Sequence, residues 1–232
     1  MSGRIGMLIA HDARLQRRYY IWAAYGVVVA LYAAFLYFGG AAVPAWSAAL
    51  VIASDPAVLG FFFLGGLMLL EKAEAARMAL AMTPVSAFDY LAAKTVTLTA
   101  IALIAVVALG LLMRFSINWP VYLATVVLVS VEFIGLGAAM ALRFKTVSGY
   151  LIMSGGLLLP LVLPGGLAFI EPMPGWAIAL PFAAPMRLLL VSLGGAEAWA
   201  GEIAAMLAVT ALYAAAGFGI GIIELQKEFG RK

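Results

Sequence analysis

Apolar residues run through this chain in blocks too long for the interior of a water-soluble domain, with polar positions confined to the short breaks between them. A helix that crosses a bilayer needs about 20 mainly apolar residues. Ile21–Val43, Thr95–Met113, Val121–Leu142, Ser148–Ile170 and Ile203–Ile223 meet that length. A sixth block, Ala48–Leu70, is interrupted by Ser54-Asp55-Pro56: either Ala57–Leu70 is a short span that starts at the interface with little tilt, or Ala48–Ala53 extends it outward as a broken helix. The pattern predicts an all-α membrane protein with six transmembrane helices.

Two further stretches are helical without being spans. On a helical wheel Ile5, Leu8, Ile9, Leu15 and Tyr19 share one face, while His11, Arg14, Arg17 and Arg18 cluster opposite; Asp12 and Gln16 intrude on the apolar face. Residues 1–20 therefore predict an N-terminal interfacial helix, with Arg14, Arg17 and Arg18 toward the headgroups. Between spans five and six, Glu171–Trp176 is rich in turn residues, and Ala177–Leu193 is apolar but carries Pro181, Pro185 and Arg187. It reads as an external or re-entrant helix at the outer interface.

The connection from Glu71 to Lys94 is longer than two spans need. Its first part, through Met82, is built from strong helix formers. Glu74 and Arg77 share a face, as do Met78 and Met82, and Thr83-Pro84 ends the helix. Ser86 with Asp89 predicts a cap that opens the helix of span three. A short helix of this kind either docks in another protein's groove or is a solvated connection.

Composition agrees with lipid as the solvent. Of 232 residues, 66% are hydrophobic and 11% charged, against roughly 25% charged in ordinary soluble domains. The basic residues set an orientation: Arg4, Arg14, Arg17, Arg18, Lys72, Arg77, Lys94, Arg143, Lys145, Lys227, Arg231 and Lys232 fall on one side, and Arg114 and Arg187 on the other. The positive-inside rule then places both termini in the cytoplasm, in the plasma or inner membrane. Ile21–Val43 exceeds the apolar core of a signal peptide and reads as an uncleaved anchor, despite the Arg17-Arg18 pair. No linker divides the chain, so residues 1–232 read as a single transmembrane domain: the interfacial helix, a six-span bundle over 21–223, and a cytoplasmic tail over 224–232.

Candidate chemistry is sparse. There is no cysteine and one histidine, His11, which argues against a metal site. No phosphate-binding G-x-x-x-x-G-K-[ST] loop, H-E-x-x-H or G-x-S-x-G element occurs, which excludes nucleotide hydrolysis by this chain. Glu132, midway along span four, is a possible translocation-path residue or a neutral acid held for packing. Gly135-x-Gly137 and Gly217-x-x-x-Gly221 read as close helix packing.

Several short motifs carry a resemblance. Leu69-Leu70-Glu71-Lys72, Thr83-Pro84-Val85-Ser86 and Tyr90-Leu91-Ala92-Ala93-Lys94 ahead of an apolar span resemble the type-2 membrane subunits of ATP-binding-cassette (ABC) exporters, in particular the fluoroquinolone-export permeases. Ser54-Asp55-Pro56, Arg143-Phe144-Lys145-Thr146-Val147 and Pro185-Met186-Arg187 extend the likeness over roughly residues 50–190. The resemblance implies six spans, a cytoplasmic coupling helix between spans two and three, and external helices between spans five and six. It implies a multi-pass efflux permease, not an enzyme, that moves a hydrophobic or amphipathic substrate outward. A separate ATPase subunit would bind ATP and Mg, this chain holding no cofactor, and a second permease copy or sister permease would complete the assembly in the lipid bilayer, with no nucleic acid involved. Glu71, Lys72, Glu74, Arg77, Met78 and Met82 would form or flank the coupling helix. Ala75-Ala76-Arg77 departs from the turn that relatives often carry there. Three other readings remain: a haem-export or cytochrome-maturation permease, an ion-coupled secondary transporter using Glu132, and a non-transporting scaffold.

Overall fold

The computed structural model describes residues 2–73, 85–113 and 115–229, and these are helical with short connections. Six helices among them are long and apolar enough to cross a membrane. Span one is Ile21–Gly39, span three Ala87–Leu112, span four Trp119–Ala141 and span six Ala200–Phe229. Spans two and five are composite. Span two is an α-helix over Ala45–Ala57, a π turn over Val58–Phe63, and an α-helix over Leu64–Ala73. Span five is α-helical over Val147–Val162 and continues as 3-10 turns over Leu163–Phe169, the irregularity that Pro160, Pro164 and the glycine pairs predict.

Local chemistry sets the helix ends. Ser86 accepts from the Asp89 backbone N–H while the Asp89 carboxylate accepts from that of Ser86, the reciprocal cap that the sequence predicts. Asn118 and Thr146 cap spans four and five in the same sense. The N-terminal helix, Ser2–Arg18, turns into span one through Tyr20, a left-handed residue with φ 56°.

Spans two and four form the interior of the bundle, whereas spans one and five expose most of their surface. Gly60, in the π turn, lies against span four: a Cβ there would come within 2.7 Å of the Ile134 backbone nitrogen. The two helices therefore touch backbone to backbone, as small residues permit in membranes.

Two expectations are revised and two are made specific. Ser54-Asp55-Pro56 does not break the chain: the helix runs through Pro56 and widens into the π turn from Val58. The helix of span three begins at Ala87, as the Ser86 cap predicts, ahead of the apolar block that starts at Thr95, so Lys94 lies inside that helix. Span six continues to Phe229, making most of the expected tail helical. Of the two forms expected between spans five and six, external or re-entrant, the buried one is found: Ala183–Leu190 packs on the 3-10 end of span five and on spans two, four and six.

Candidate functional site

Tyr90, Lys94 and Thr97 recur at helical spacing on one face of span three, and that face meets the N-terminal helix. The Lys94 ammonium donates to Asp12 Oδ1 at 2.7 Å and to Glu71 Oε1 at 2.6 Å. All three side chains are at most 5% exposed. The Tyr90 hydroxyl donates to Glu71 Oε2, and the Lys94 nitrogen lies 5.0 Å from the Tyr90 ring centre. Thr97 donates to Asp12 Oδ2, which also accepts from Gln16 Nε2 at 2.7 Å. Two buried carboxylates thus share one buried ammonium.

Asp12 and Gln16 are one turn apart and belong to the N-terminal helix; Glu71 sits in the last turn of span two. The network joins the two helices that flank residues 74–84, spans two and three, to the N-terminal helix. A buried pair whose partner is removed costs about 3–5 kcal/mol, because a bare charge is left behind. The three elements are accordingly held in one relative position.

A second polar group lies in the interior. Both oxygens of Asp55 accept from the Tyr25 hydroxyl, at 2.7 and 2.6 Å, and Tyr32 shares a 2.9 Å hydrogen bond with Ser54. Span one is thereby tied to span two just before the π turn. The Tyr150 hydroxyl of span five donates to the Phe61 carbonyl within that turn, one of the backbone acceptors that a π turn displaces.

Glu132 is buried on span four, and its Oε2 has no hydrogen-bond partner among the described residues. Gly217 of span six packs on the Glu132 backbone, where a Cβ would meet the Glu132 carbonyl oxygen at 2.7 Å. Gly221 makes the equivalent approach to Gly135. The glycines that the sequence assigns to packing do pack: Gly135, Gly217 and Gly221 set spans four and six side by side, and Gly137 faces Gly60 and Phe61 of span two.

At the opposite end of the bundle Arg187 clamps Glu171 with two parallel bonds of 2.6 and 3.1 Å and donates to the Ala168 carbonyl at 3.0 Å. The Arg187 hydrogen bonds hold the Glu171 carboxyl below its usual range. These two residues line a cavity of about 250 Å³ that also includes Glu197 and Glu202.

The site residues expected from the sequence are only partly gathered. Glu71 is buried against Lys94 and Tyr90, so it braces the bundle instead of being displayed to solvent. Lys72 is exposed and lines a polar cavity of about 400 Å³ with Arg143, Glu224 and Lys227. Glu74, Arg77, Met78 and Met82 lie outside the described residues. Arg14, Arg17 and Arg18 are exposed on the N-terminal helix. Sequence reading missed Asp12, Lys94, Thr97 and Asp55; the signal for the first was the pair of polar residues, Asp12 and Gln16, intruding one turn apart on an apolar face.

Known proteins supply one likeness. Over 103 residues the chain is 33% identical to fluoroquinolones export permease proteins from two strains of Mycobacterium tuberculosis. The chain resembles export permeases. The match covers 44% of this chain and 44% of each relative, and no family model matches. Six helices able to cross a bilayer and this likeness make the chain a membrane protein that resembles export permeases over part of its length.

Proposed function

We propose that the chain is the permease subunit of an ABC exporter, oriented with both ends in the cytoplasm and driven by a separate ATPase subunit that binds ATP and Mg. Residues 74–84 would contact that subunit. The observation that carries this reading is the buried Asp12–Lys94–Glu71 network, which grips the chain on both sides of the proposed contact. A push on residues 74–84 would reach Glu71 and Tyr90 directly, and through Lys94 the interfacial helix and span one. The bundle would switch as a few rigid pieces between inward- and outward-facing packings. Cargo of hydrophobic or amphipathic character suits such a path, and the relatives' name makes a fluoroquinolone the first molecule to try.

The test is to replace Lys94 by Met in the assembled complex. ATP hydrolysis should persist while cargo transport falls at least about tenfold, because the motor turns without its linkage. Transport and hydrolysis both unchanged would remove the network from the mechanism.

A second reading, an ion-coupled carrier, is favoured by the unpartnered Glu132 Oε2 in a buried position. Transport that continues without any ATPase partner and stops on Glu132→Gln would select it.

A further inference from the structure

We propose that a cleft between spans one, two and five, at the end of the bundle that carries the N-terminal helix, is a resident binding site for an anionic phospholipid. The proposal uses only the membrane-spanning arrangement and does not depend on a partner ATPase.

The cleft holds about 230 Å³ and is lined among the described residues by Tyr19, Phe62, Gly66, Leu70, Val147, Leu151 and their apolar neighbours, with no charged side chain. Tyr19 lies two residues before span one, Leu70 lies near the end of span two and Val147 begins span five, so the cleft sits at the level where acyl chains meet headgroups. It opens on the exposed faces of spans one and five, and Leu151 in its wall is 44% exposed. Gly66 leaves the wall hollow: a Cβ there would meet nothing within 4 Å. An acyl chain fits such a trough, whereas a soluble ligand would have no route to it.

The rim chooses the headgroup. Arg17 and Arg18 are exposed at the end of the N-terminal helix. The Arg18 guanidinium lies 6.0 Å from the centre of the Tyr19 ring that forms the edge of the cleft. Exposed Lys145 stands two residues before Val147 on the far side, where span five also presents its N-terminal backbone amides. Positive charge on both lips of an apolar trough complements a phosphate headgroup with a net negative charge and gives a zwitterionic one less to gain. The Tyr20 turn, with φ 56°, brings the basic end of the N-terminal helix over the start of span one. A lipid seated here would bridge that helix and span five.

The purified, delipidated full-length protein, examined by native mass spectrometry with phosphatidylglycerol and phosphatidylcholine of identical acyl chains, tests this. The wild type should retain phosphatidylglycerol preferentially, on the order of fivefold for each basic side chain engaged. Arg17→Ala, Arg18→Ala and Lys145→Ala together should reduce its retention to the phosphatidylcholine level, and Gly66→Phe should abolish retention of both. Equal retention of the two lipids by the wild type, or a preference that survives the triple substitution, would overturn the proposal. So would disulfide-linked dimers formed in high yield by Leu151→Cys in membranes, since a second copy would then cover the cleft; the absence of native cysteine makes that readout unambiguous.

Discussion

Lys94 and Asp12 are separated by 82 positions in the chain and meet at 2.7 Å, both side chains buried. Neither would be stable there alone. Glu71, Tyr90, Thr97 and Gln16 complete the site, so that the N-terminal helix is attached to spans two and three by charge as well as by apolar contact.

Lys94→Met should lower the protein's stability in detergent by about 3–5 kcal/mol, because Asp12 and Glu71 lose their shared counter-charge. Adding Asp12→Asn and Glu71→Gln should recover much of that loss. Thermal unfolding of the single and triple variants measures it. A single variant as stable as the wild type would contradict the geometry.

Tyr25→Phe should cost about 1–3 kcal/mol, since it deprives the buried Asp55 carboxylate of its donor. Tyr32→Phe removes a bond from Ser54, which also donates to the Val51 carbonyl and keeps a partner. It should cost less. Unfolding curves of the two variants side by side give the comparison.

Glycines of similar appearance should differ sharply. Gly217→Ala drives a methyl group into the Glu132 backbone and should destabilise by about 1–3 kcal/mol. Gly156→Ala, in the α-helical part of span five with nothing within 4 Å, should be neutral or stabilising by about 0.5–1 kcal/mol. Equal effects at both positions would show that spans four and six are not in contact.

The Arg187–Glu171 clamp carries a pH dependence of definite sign. The folded-state value of the Glu171 carboxyl is depressed by Arg187, so its contribution is complete above the unfolded value of about 4.3 and is lost as pH falls through the lower folded value. A cysteine introduced at Met173 should become more reactive than solvent chemistry alone explains only on acidification below about pH 4. Glu171→Gln should abolish that response. A transition near neutral pH would assign it to another group.

Much of the architecture was legible because lipid imposes a long apolar run on every span: the six spans, the N-terminal helix, the Ser86 cap and the glycine contacts all follow from spacing. What was hidden depends on partners distant in sequence. Asp12 blemished an apolar face until Lys94 supplied its counter-ion. Lys94 looked like a loop residue because a charge so near a span end ordinarily snorkels to the headgroups. Ser54-Asp55-Pro56 reads as a turn in water, where nothing would satisfy the widened backbone; Tyr150 donating to Phe61 and Tyr25 donating to Asp55 make a π turn possible instead.

The central claim is that an external motor acts on the bundle through residues 74–84, and recovery of the tagged chain from its native membranes tests it most directly. An ATP-binding subunit should accompany the wild type and be lost when Glu74 and Arg77 are both reversed in charge, with membrane insertion unchanged. A chain that purifies without any nucleotide-binding partner, and moves its cargo in vesicles devoid of ATP, would contradict it.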